Sequence, residues 1–548
     1  MQNPDPTPNQ QTGPKTDPKD PRRHDLDALR AFAMVLGILL HGALAYTQVP
    51  WIVQDAQKSV VFDHLFEFIH TFRMPIFFLL SGFFTAMLWR RRGTRGLLRH
   101  RTFRILFPLL ACMATIVPAT MWSIQYANRV QSSEETEQAV DAEELDIWRA
   151  AAEGSLPQLR ARINEGADLN APDPNFRTTP LGYAVLYNQT EIVQELLTNG
   201  ANPNIQFGDG GTALHSAMFL GRSEIASTLL DNNADLELQN MRGETPTTAL
   251  AVNEQITMMI TGFLQIEDDF ESIQSGREEI RTLLDERGKP IVAPTTSERI
   301  RNLINLLIAL PVFYHLWFLW HLCWFVVIFV VLALVTKPVS KFKGLSLLTA
   351  FPWCLVYLVP LTMWTQSLMA LRMGPDTAIG LIPAPHVLGH YAVFFFFGSL
   401  LFGVFGSSLR VGWWGVPALV GSVVCYPLAL SLDESGSGNA LGWFGLVQSV
   451  MVWLMIYGLI GLFELIASAE RRWVRFLSDS SYWLYIAHLP LIVVVQVWVL
   501  NWDAPSWMKF AVVTLSVFVV LLVSYRYLIR YSPIGTMLNG KRQRPVNE

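Results

Sequence analysis

Two side chains able to do chemistry lie in the first apolar stretch, DLDALRAFAMVLGILLHGALAY, at residues 25–46. They are Arg30 and His41, and their separation of eleven residues turns an α-helix by roughly 1100°, about 20° past three turns. We therefore expect both on one helix face, about 16 Å apart along the axis. Because charged groups in a bilayer are costly, the pair favours a functional site. The alternative is an interfacial arginine and a hydrogen-bonded core histidine.

A second polar set follows a helical period in FDHLFEFIHTFRMPIFFLLSGFF, at residues 62–84. Asp63, Glu67 and His70 share one stripe, and Arg73 lies about one turn beyond His70. An acid, a base and a cation recurring on one face favour function. We expect Glu67 or Asp63 to orient or polarise a histidine in a cavity. The alternative is a polar face that is merely solvated at the membrane boundary.

Arg101 and Arg104 lie one turn apart in RTFRILFP, at residues 101–108. Paired guanidinium groups suit the phosphates of an anionic ligand such as a nucleotide. The alternative is that both arginines only anchor the helix at the inner membrane surface.

The composition is that of a polytopic membrane protein that carries a soluble piece. Hydrophobic residues make up 51% of the 548 residues, charged residues only 16%, and the formal net charge is −4. We therefore expect no nucleic-acid partner. The four cysteines lie in apolar runs, which predicts neither disulfides nor a metal site. The histidines do not change this, because His386 and His390 have helical spacing but no third ligand nearby.

The pattern of apolar runs predicts an all-α fold, a membrane bundle of about ten spans. We expect them at about 28–48, 62–89, 103–127, 306–335, 346–368, 386–405, 411–431, 441–466, 480–500 and 507–530. The predicted regions are a disordered tail at 1–24, membrane regions at 25–128 and 301–535, an insertion at 129–300, and a second tail at 536–548.

The insertion contains an internal repeat. TTPLGYAV, GTALHSAM and ETPTTALA recur at a period of 33 residues, in step with GADLN, GANPN and NADLE. This pattern resembles the ankyrin repeat, a short α-solenoid whose units each need a neighbour to cover an apolar face. We expect two good repeats, flanked by degenerate ones near 144–175 and 244–265. Such a surface is typical of partner or substrate binding, and the alternative is a tolerated insertion.

Lysine and arginine are concentrated in alternate loops between the predicted spans. The segments RRRGTRGLLRHRTFR, TKPVSKFKG and ERRWVR fall on one side, and SLDESGSGN and NWDAPS on the other. The positive-inside rule then predicts cytoplasmic N- and C-termini and an extracytoplasmic insertion. We expect the chain in a bacterial inner membrane.

Five segments in order resemble the acyltransferase-3 family of integral-membrane acyltransferases, and within it the glucan biosynthesis branch. The segments are the Arg30–His41 spacing, FRMPIFFLLSGF, RHRTFRILFP, HLWFLWHL and SYWLYIAHLPL. The resemblance covers residues 25–128 and 300–535, and it does not explain the ankyrin insertion.

The resemblance implies a role for each matched position. His41 would be the catalytic histidine and Arg30 its partner across the membrane, and Arg101 and Arg104 would hold the phosphates of the donor on the inner side. The residues implied to line the central cavity or pocket are His70, Arg73, Ser81, Tyr482, Tyr485 and His488. Arginine at position 73 is a departure, since histidine or another polar residue is equally expected there.

The predicted function is O-acyl transfer from cytoplasmic acyl-CoA to a hydroxyl group of an extracytoplasmic glycan, the group being acetyl or succinyl. His41 would be the general base or a transient acyl carrier, and Glu67 would assist it. The expected partners are acyl-CoA, a glycan, membrane lipid and a protein bound by the ankyrin repeats, without a metal. The alternatives are an inactive scaffold of the same fold or an ankyrin-bearing sensor or channel.

Overall fold

Apolar segments form helices throughout the described chain, because a helix satisfies its own backbone hydrogen bonds where lipid cannot. The computed structural model describes residues 23–49, 51–141, 146–173, 177–241, 243–252, 254–263, 266, 268–289, 296–335, 349–371, 373–434, 438–540 and 542, and every regular element in these ranges is helical. Residues 1–22 of the predicted N-terminal tail and 543–548 of the predicted C-terminal tail lie outside them.

The helices are numbered here in chain order, and contact clustering divides the chain into two units. One unit is Met1–Val130 with Leu306–Glu548, and the other is Gln131–Asn305. The described α-helices are α1 (His24–Ala43), α2 (Val60–Arg101), α3 (Phe107–Asp141), α4 (Ile147–Glu153), α5 (Leu156–Asn164), α6 (Pro180–Leu186), α7 (Thr190–Thr198), α8 (Ala213–Phe219), α9 (Ser223–Asp231), α10 (Glu254–Phe263), α11 (Phe270–Glu286), α12 (Thr296–Ala309), α13 (Trp317–Val335), α14 (Leu355–Gln366), α15 (Pro385–Phe405), α16 (Gly415–Glu434), α17 (Gly438–Ile466), α18 (Arg472–Val499), α19 (Ser506–Ser524) and α20 (Pro533–Asn539).

Within the described residues, eight helical segments are long and apolar enough to cross a membrane. They are His24–Tyr46, Val60–Gln131, Tyr314–Val335, Pro385–Phe405, Gly412–Leu432, Gly442–Ile466, Arg472–Val499 and Ser506–Ile529. The second has 72 residues and covers two predicted spans. It is interrupted at Gly93, where φ is 65° and ψ is −178°, so the chain changes direction there. The total of ten spans stays a prediction.

Two of the predicted spans have different boundaries in the structure. The span expected at 306–335 is divided between α12 and α13 around Pro311, which has no backbone N–H to donate. The N–H groups of Val312 and Phe313 instead donate to the Ile379 carbonyl at 3.1 and 3.0 Å. The span expected at 346–368 contains α14, whose 12 residues extend only about 18 Å, less than the hydrocarbon thickness.

Small residues bring the helices of the candidate site close together. A Cβ on Gly82 of α2 would overlap the Phe395 carbonyl of α15, and one on Gly398 would overlap the Leu79 carbonyl of α2. The backbones of α2 and α15 are therefore in direct contact. Such close packing stabilises a membrane bundle, where dispersion and shape drive helix association. Helix α1 packs against α2, α17, α18 and α19. The first apolar stretch is therefore held among four other long helices.

The unit Gln131–Asn305 is a stack of short helical pairs. Helices α4 and α5, α6 and α7, and α8 and α9 form successive pairs, and their apolar faces share one buried core. Helix α11 is attached to this stack by Arg277, whose side chain is fully buried. Its Nε donates to the Phe219 carbonyl at 3.0 Å and its Nη1 to the Val252 carbonyl at 2.7 Å. Burial lowers the pKa of Arg277 to about 10, so the group stays charged at neutral pH.

Candidate functional site

His41, near the end of α1, is hydrogen-bonded to a second histidine. Its Nδ1 lies 2.9 Å from Nε2 of His488 on α18. The Nδ1 atom of His488 lies 2.7 Å from the Tyr485 carbonyl oxygen. His488 is 2% exposed, whereas His41 is only half-buried. Two histidines that are 447 positions apart in sequence therefore form one unit, with His41 as its accessible member.

The backbone carbonyl determines how protons are distributed over this pair. A carbonyl only accepts, so Nδ1 of His488 must carry the proton that is donated to Tyr485. The Nε2 of neutral His488 then has a lone pair and accepts the Nδ1 proton of His41. This assignment leaves Nε2 of His41 unprotonated, and it has no hydrogen-bond partner among the described residues. His41 is thus arranged as a base that points its lone pair away from its partner.

A loop residue covers the other side of His41. The Trp51 indole stacks on the imidazole with ring centroids 5.8 Å apart and planes at 15°. Its Nε1 donates to the Gln496 side-chain carbonyl at 3.1 Å, and the Gln496 amide donates to the His41 carbonyl at 3.0 Å. The same loop is held by a buried ion pair between Asp55 and Lys509, at 2.8 Å. The ring of His41 is therefore fixed by packing as well as by His488.

His315 joins the site from the segment before α13. Its ring packs edge-on against His488 with centroids 5.2 Å apart, and its Nε2 donates to the Ile486 carbonyl at 2.9 Å. Tyr485 donates its hydroxyl to the His315 carbonyl at 2.6 Å. In the sequence, the HLWFLWHL segment was the signal for His315. Trp51 and Gln496 were missed, and they belong to no motif.

The predicted cavity residues His70 and Arg73 occupy different surroundings. His70 is buried and donates from Nε2 to the Pro375 carbonyl at 2.9 Å, so it is fixed to a loop. Arg73 lies against Gly37 of α1, where a Cβ would overlap its Nη1. The Arg73 charge is within electrostatic range of His41 and His488. Ser81 is half-buried on the same helix.

A group of arginines lies at the other end of α1. Arg30 is within electrostatic range of Arg101, and Arg104 within that of Arg92 and Arg542. Arg101 donates from Nη2 to the Thr85 hydroxyl at 2.7 Å. The Nε atoms of both Arg30 and Arg101 are buried and have no partner among the described residues. The five guanidinium groups concentrate positive charge in one region, which favours negatively charged groups nearby.

A cavity of about 590 Å³ opens beside this arginine group. Its walls combine aromatic and small polar side chains with one guanidinium group. The lining residues are Phe103, Arg104, Phe107, Tyr531, Ser532, Pro533, Thr536 and Met537. The predicted pocket residue Tyr482 lies nearby and donates its hydroxyl to the Arg104 carbonyl at 2.9 Å. Tyr482 is thus on the arginine side and does not contact His41 through any hydrogen bond in the described structure.

Glu67 and Asp63 contact groups other than His41 in the described structure. Glu67 accepts from the Tyr426 hydroxyl at 3.2 Å and lies 3.9 Å from His64, whereas neither His41 nor His70 bonds it. Asp63 accepts from the Gln48 backbone N–H at 2.7 Å and so fixes a loop. The histidine that orients His41 is His488. The stripe on α2 that carries Glu67 contacts Tyr426 of α16.

Arg30 lies at the other end of α1 from His41, as their spacing predicts. Its Nη2 is 3.2 Å from the Ser478 hydroxyl and 3.6 Å from Asp27. One helix face does carry both residues, yet the axial distance of about 16 Å separates them into two sites. In the described residues, no group of three or more histidine, cysteine or acidic side chains is arranged to hold a metal. His386 lies 3.6 Å from Asp376, and His390 bonds Thr365.

Comparison with known proteins gives matches to both units. Residues 23–144 and 291–528 match the family model described as an acyltransferase domain, and residues 147–240 match ankyrin repeats in three copies. The first of these repeats had been expected to be degenerate. The acyltransferase match covers more than half of the chain.

Individual relatives match over shorter stretches. Glucans biosynthesis protein C of Escherichia coli K12 is 34% identical over 105 residues, which are 19% of this chain and 27% of that protein. The protein of the same name from Escherichia coli O1:K1 matches to the same extent. The chain therefore spans about a quarter of the length of these relatives. The crystal structure of the Bcl-3 ankyrin repeat domain is 31% identical, with 21% of this chain and 50% of that chain covered and a TM-score of 0.19.

Proposed function

Because the chain belongs to the acyltransferase-3 family and carries an ankyrin-repeat insertion, we propose that it is an integral-membrane O-acyltransferase. The acyl group comes from acyl-CoA on the cytoplasmic side and goes to a hydroxyl group of an extracytoplasmic glycan. The name of its relatives, glucans biosynthesis protein C, favours a glycan acceptor. Acetyl and succinyl are the candidate groups. The observation that carries the proposal is the His41–His488 pair, which presents an unprotonated imidazole nitrogen.

The chemistry follows from that nitrogen. The acceptor oxygen attacks the thioester carbonyl carbon while Nε2 of His41 takes the hydroxyl proton. The C–S bond then breaks, and the departing thiolate of CoA receives the proton from His41. The products are an ester and CoA with a free thiol, so protons and electrons balance. The alternative, in which His41 carries the acyl group transiently, uses the same nitrogen as the nucleophile.

The arginine group and its cavity are the proposed donor site. Arg30, Arg101 and Arg104 supply guanidinium groups to the phosphates of acyl-CoA, and the aromatic walls near Phe103 and Tyr531 contact its adenine or pantetheine arm. The donor must reach from this site toward His41, about 16 Å along α1 from Arg30. An extended pantetheine arm has the shape for that path. Arg30 therefore belongs with the donor phosphates in this proposal.

Removing the two arginines of the donor site tests this assignment. We expect Arg101→Gln and Arg104→Gln each to raise KM for acyl-CoA by about 10- to 100-fold, since a charge-assisted hydrogen bond contributes about 1.5–3 kcal/mol. The kcat should change much less. The measurement is initial acyl transfer in membranes over a range of acyl-CoA concentrations. Arg95→Gln, at an exposed position on the same helix, is the control. Unchanged KM in both variants would contradict the donor site.

The ankyrin insertion is proposed to bind a partner protein or the acceptor glycan. Three matched repeats with a continuous core make a surface suited to binding, and such repeats carry no chemistry of their own. Membrane lipid surrounds the other unit. The chain would lie in the bacterial inner membrane with both termini in the cytoplasm and the insertion outside, as the distribution of lysine and arginine indicates.

Protease accessibility tests this orientation. In spheroplasts, external protease is expected to cleave within residues 129–300 while an N-terminal tag remains intact. Opened membranes, in which both sides are accessible, should lose the tag as well. Protection of the insertion in intact spheroplasts together with loss of the tag would reverse the topology. An acceptor on the outer side would then need a different route.

The acyl transfer itself is tested with membranes that contain the protein, acyl-CoA labelled in its acyl group, and a glucan acceptor. Label is expected in the glycan fraction, where mild alkali should release it as the free acid, because esters hydrolyse under these conditions. Membranes without the protein are the control. Label that never leaves acyl-CoA, with acetyl or succinyl donors and a range of glycans, would contradict the proposal.

A further inference from the structure

Arg73 is a cation in the middle of the membrane unit whose charge has no described counterpart. Its Nε is buried and has no partner, and none of its nitrogens makes a hydrogen bond or ion pair with a described residue. Other arginines of this unit do have partners: Arg410, for example, pairs with Glu464 at 3.0 Å. Because a guanidinium offers five N–H donors, the geometry leaves a set of donors that a bound group can use.

The position of Arg73 relative to His41 indicates which bound group would use these donors. Gly37, against which the guanidinium lies, precedes His41 by four residues on α1, or about 6 Å along the axis. Any Cβ at position 37 would overlap Nη1, so the glycine makes room for the cation. The guanidinium is therefore about one helix turn from His41, on the side toward the donor site, and within electrostatic range of it. That is where the carbonyl oxygen of an acyl-CoA would lie when its carbonyl carbon is near His41.

Neutral and aromatic groups otherwise surround the cation. Its electrostatic neighbours are the histidines of the site and two buried tyrosines, Tyr391 and Tyr485, and no carboxylate is among them. In a site without bulk water, an unpaired cation interacts strongly with negative charge that develops beside it. In the addition step of the proposed reaction, negative charge develops on the carbonyl oxygen of the thioester.

We propose that Arg73 is a catalytic residue that stabilises this oxyanion, an inference that rests on the proposed acyl transfer. When the acceptor oxygen attacks, the C=O π electrons move onto the carbonyl oxygen and the hydroxyl proton moves to Nε2 of His41. Arg73 donates to the resulting oxyanion. The C=O bond then re-forms, the C–S bond breaks, and the thiolate takes the proton from His41. Arg30, about 16 Å from His41 along α1, is too far away for this role.

Substitution of Arg73 should therefore change the rate of the chemical step more than it changes binding. We expect Arg73→Gln to lower kcat by about 100- to 1,000-fold, as loss of an oxyanion donor does, with KM for acyl-CoA within about threefold of wild type. Arg73→Lys should recover part of the rate, because it restores the charge without the fork of donors. The assay is acyl transfer in membranes with acetyl-CoA and with succinyl-CoA.

Gly37→Ala provides a second variant that leaves Arg73 in place. Its methyl group would displace the guanidinium, and we expect kcat to fall at least about tenfold. Gly389→Ala is the matched control, since a Cβ at this helical glycine meets no atom within 4 Å. If Arg73→Gln does not insert into membranes, the Gly37→Ala and Gly389→Ala comparison decides the question.

Three results would overturn the inference. One is normal kcat in Arg73→Gln or, should that variant not insert, in Gly37→Ala. Another is a loss seen only as a higher KM. The third is a loss confined to succinyl-CoA with normal acetyl transfer, which would make Arg73 a reader of the acyl carboxylate. Failure of the proposed function looks different, because the wild-type protein would then transfer neither group.

Discussion

Replacing His41 by alanine is expected to lower acyl transfer by at least about 1,000-fold, within the range seen for loss of a general base. The physical reason is that Nε2 of His41 is the nitrogen left unprotonated by the chain of hydrogen bonds through His488 to the Tyr485 carbonyl. No other described histidine combines this arrangement with a partly exposed ring. The measurement is the initial rate at saturating acyl-CoA, normalised to the amount of protein in the membrane.

The control for this variant is His64→Ala. The side chain of His64 is 47% exposed and lies against Glu67 and Tyr426, away from His41. It removes an imidazole from the same unit without touching the proposed base, so we expect activity within about twofold of wild type, as for a surface substitution. Normal acylation by His41→Ala at wild-type protein levels would contradict the assignment of His41 as the general base.

Replacing His488 by leucine should also have a large effect, a fall in kcat on the order of 100-fold. His488 acts as a positioning residue, because it touches His41 and is itself 2% exposed. Without its acceptor nitrogen, the Nδ1 proton of His41 has no fixed partner, and the imidazole samples the wrong tautomer and rotation. KM for acyl-CoA should stay close to that of wild type.

A glutamine at position 488 separates this role from simple packing. The side-chain carbonyl of His488→Gln can accept the Nδ1 proton of His41, so we expect it to recover about tenfold of the rate lost in His488→Leu. A merely structural role predicts that both variants lose activity to the same degree, since both change the ring. Equal rates for the leucine and glutamine variants would therefore contradict the tautomer argument. The assay is kcat for both variants in parallel.

Local sequence patterns were enough to predict the helical fold and the part of the candidate site that contains His41 and His488. The helical spacing of Arg30 and His41, the ankyrin period and the apolar runs are each contained in a short stretch of sequence, and they predict the helical fold and the ankyrin repeats that the structure and the comparisons show. His488 was recognised from SYWLYIAHLPL, and the structure brings it to His41. In these cases residue type and spacing along one element determine the outcome.

The rest of the candidate site depends on packing between distant parts of the chain. Trp51 meets Gln496 across 445 positions, and no local pattern specifies that contact. The stripe on α2 predicted that Glu67 faces a cavity histidine. In the structure, Glu67 instead accepts a hydrogen bond from the Tyr426 hydroxyl. Spacing defines which residues share a face, whereas neighbouring helices decide what that face contacts.

A similar limit applies to two of the four arginines assigned from the sequence. Arg30 and His41 were expected on one face of α1 at different depths, and only the structure shows that Arg30 lies within electrostatic range of Arg101. Arg73, a departure from the expected residue at its position, approaches His41 through a gap made by Gly37. Which side chain of another helix fills the space beside a glycine cannot be identified without the tertiary structure.

The most direct test of the central claim is mass spectrometry of glycans from a strain that lacks this protein. Complementation with the wild-type protein is expected to restore an acyl ester on an extracytoplasmic glycan, seen as a fixed mass increase per modified hydroxyl that mild alkali removes. Complementation with His41→Ala at equal protein levels should leave the glycan unmodified. Identical glycan spectra with and without the wild-type protein, or full restoration by His41→Ala, would contradict the account.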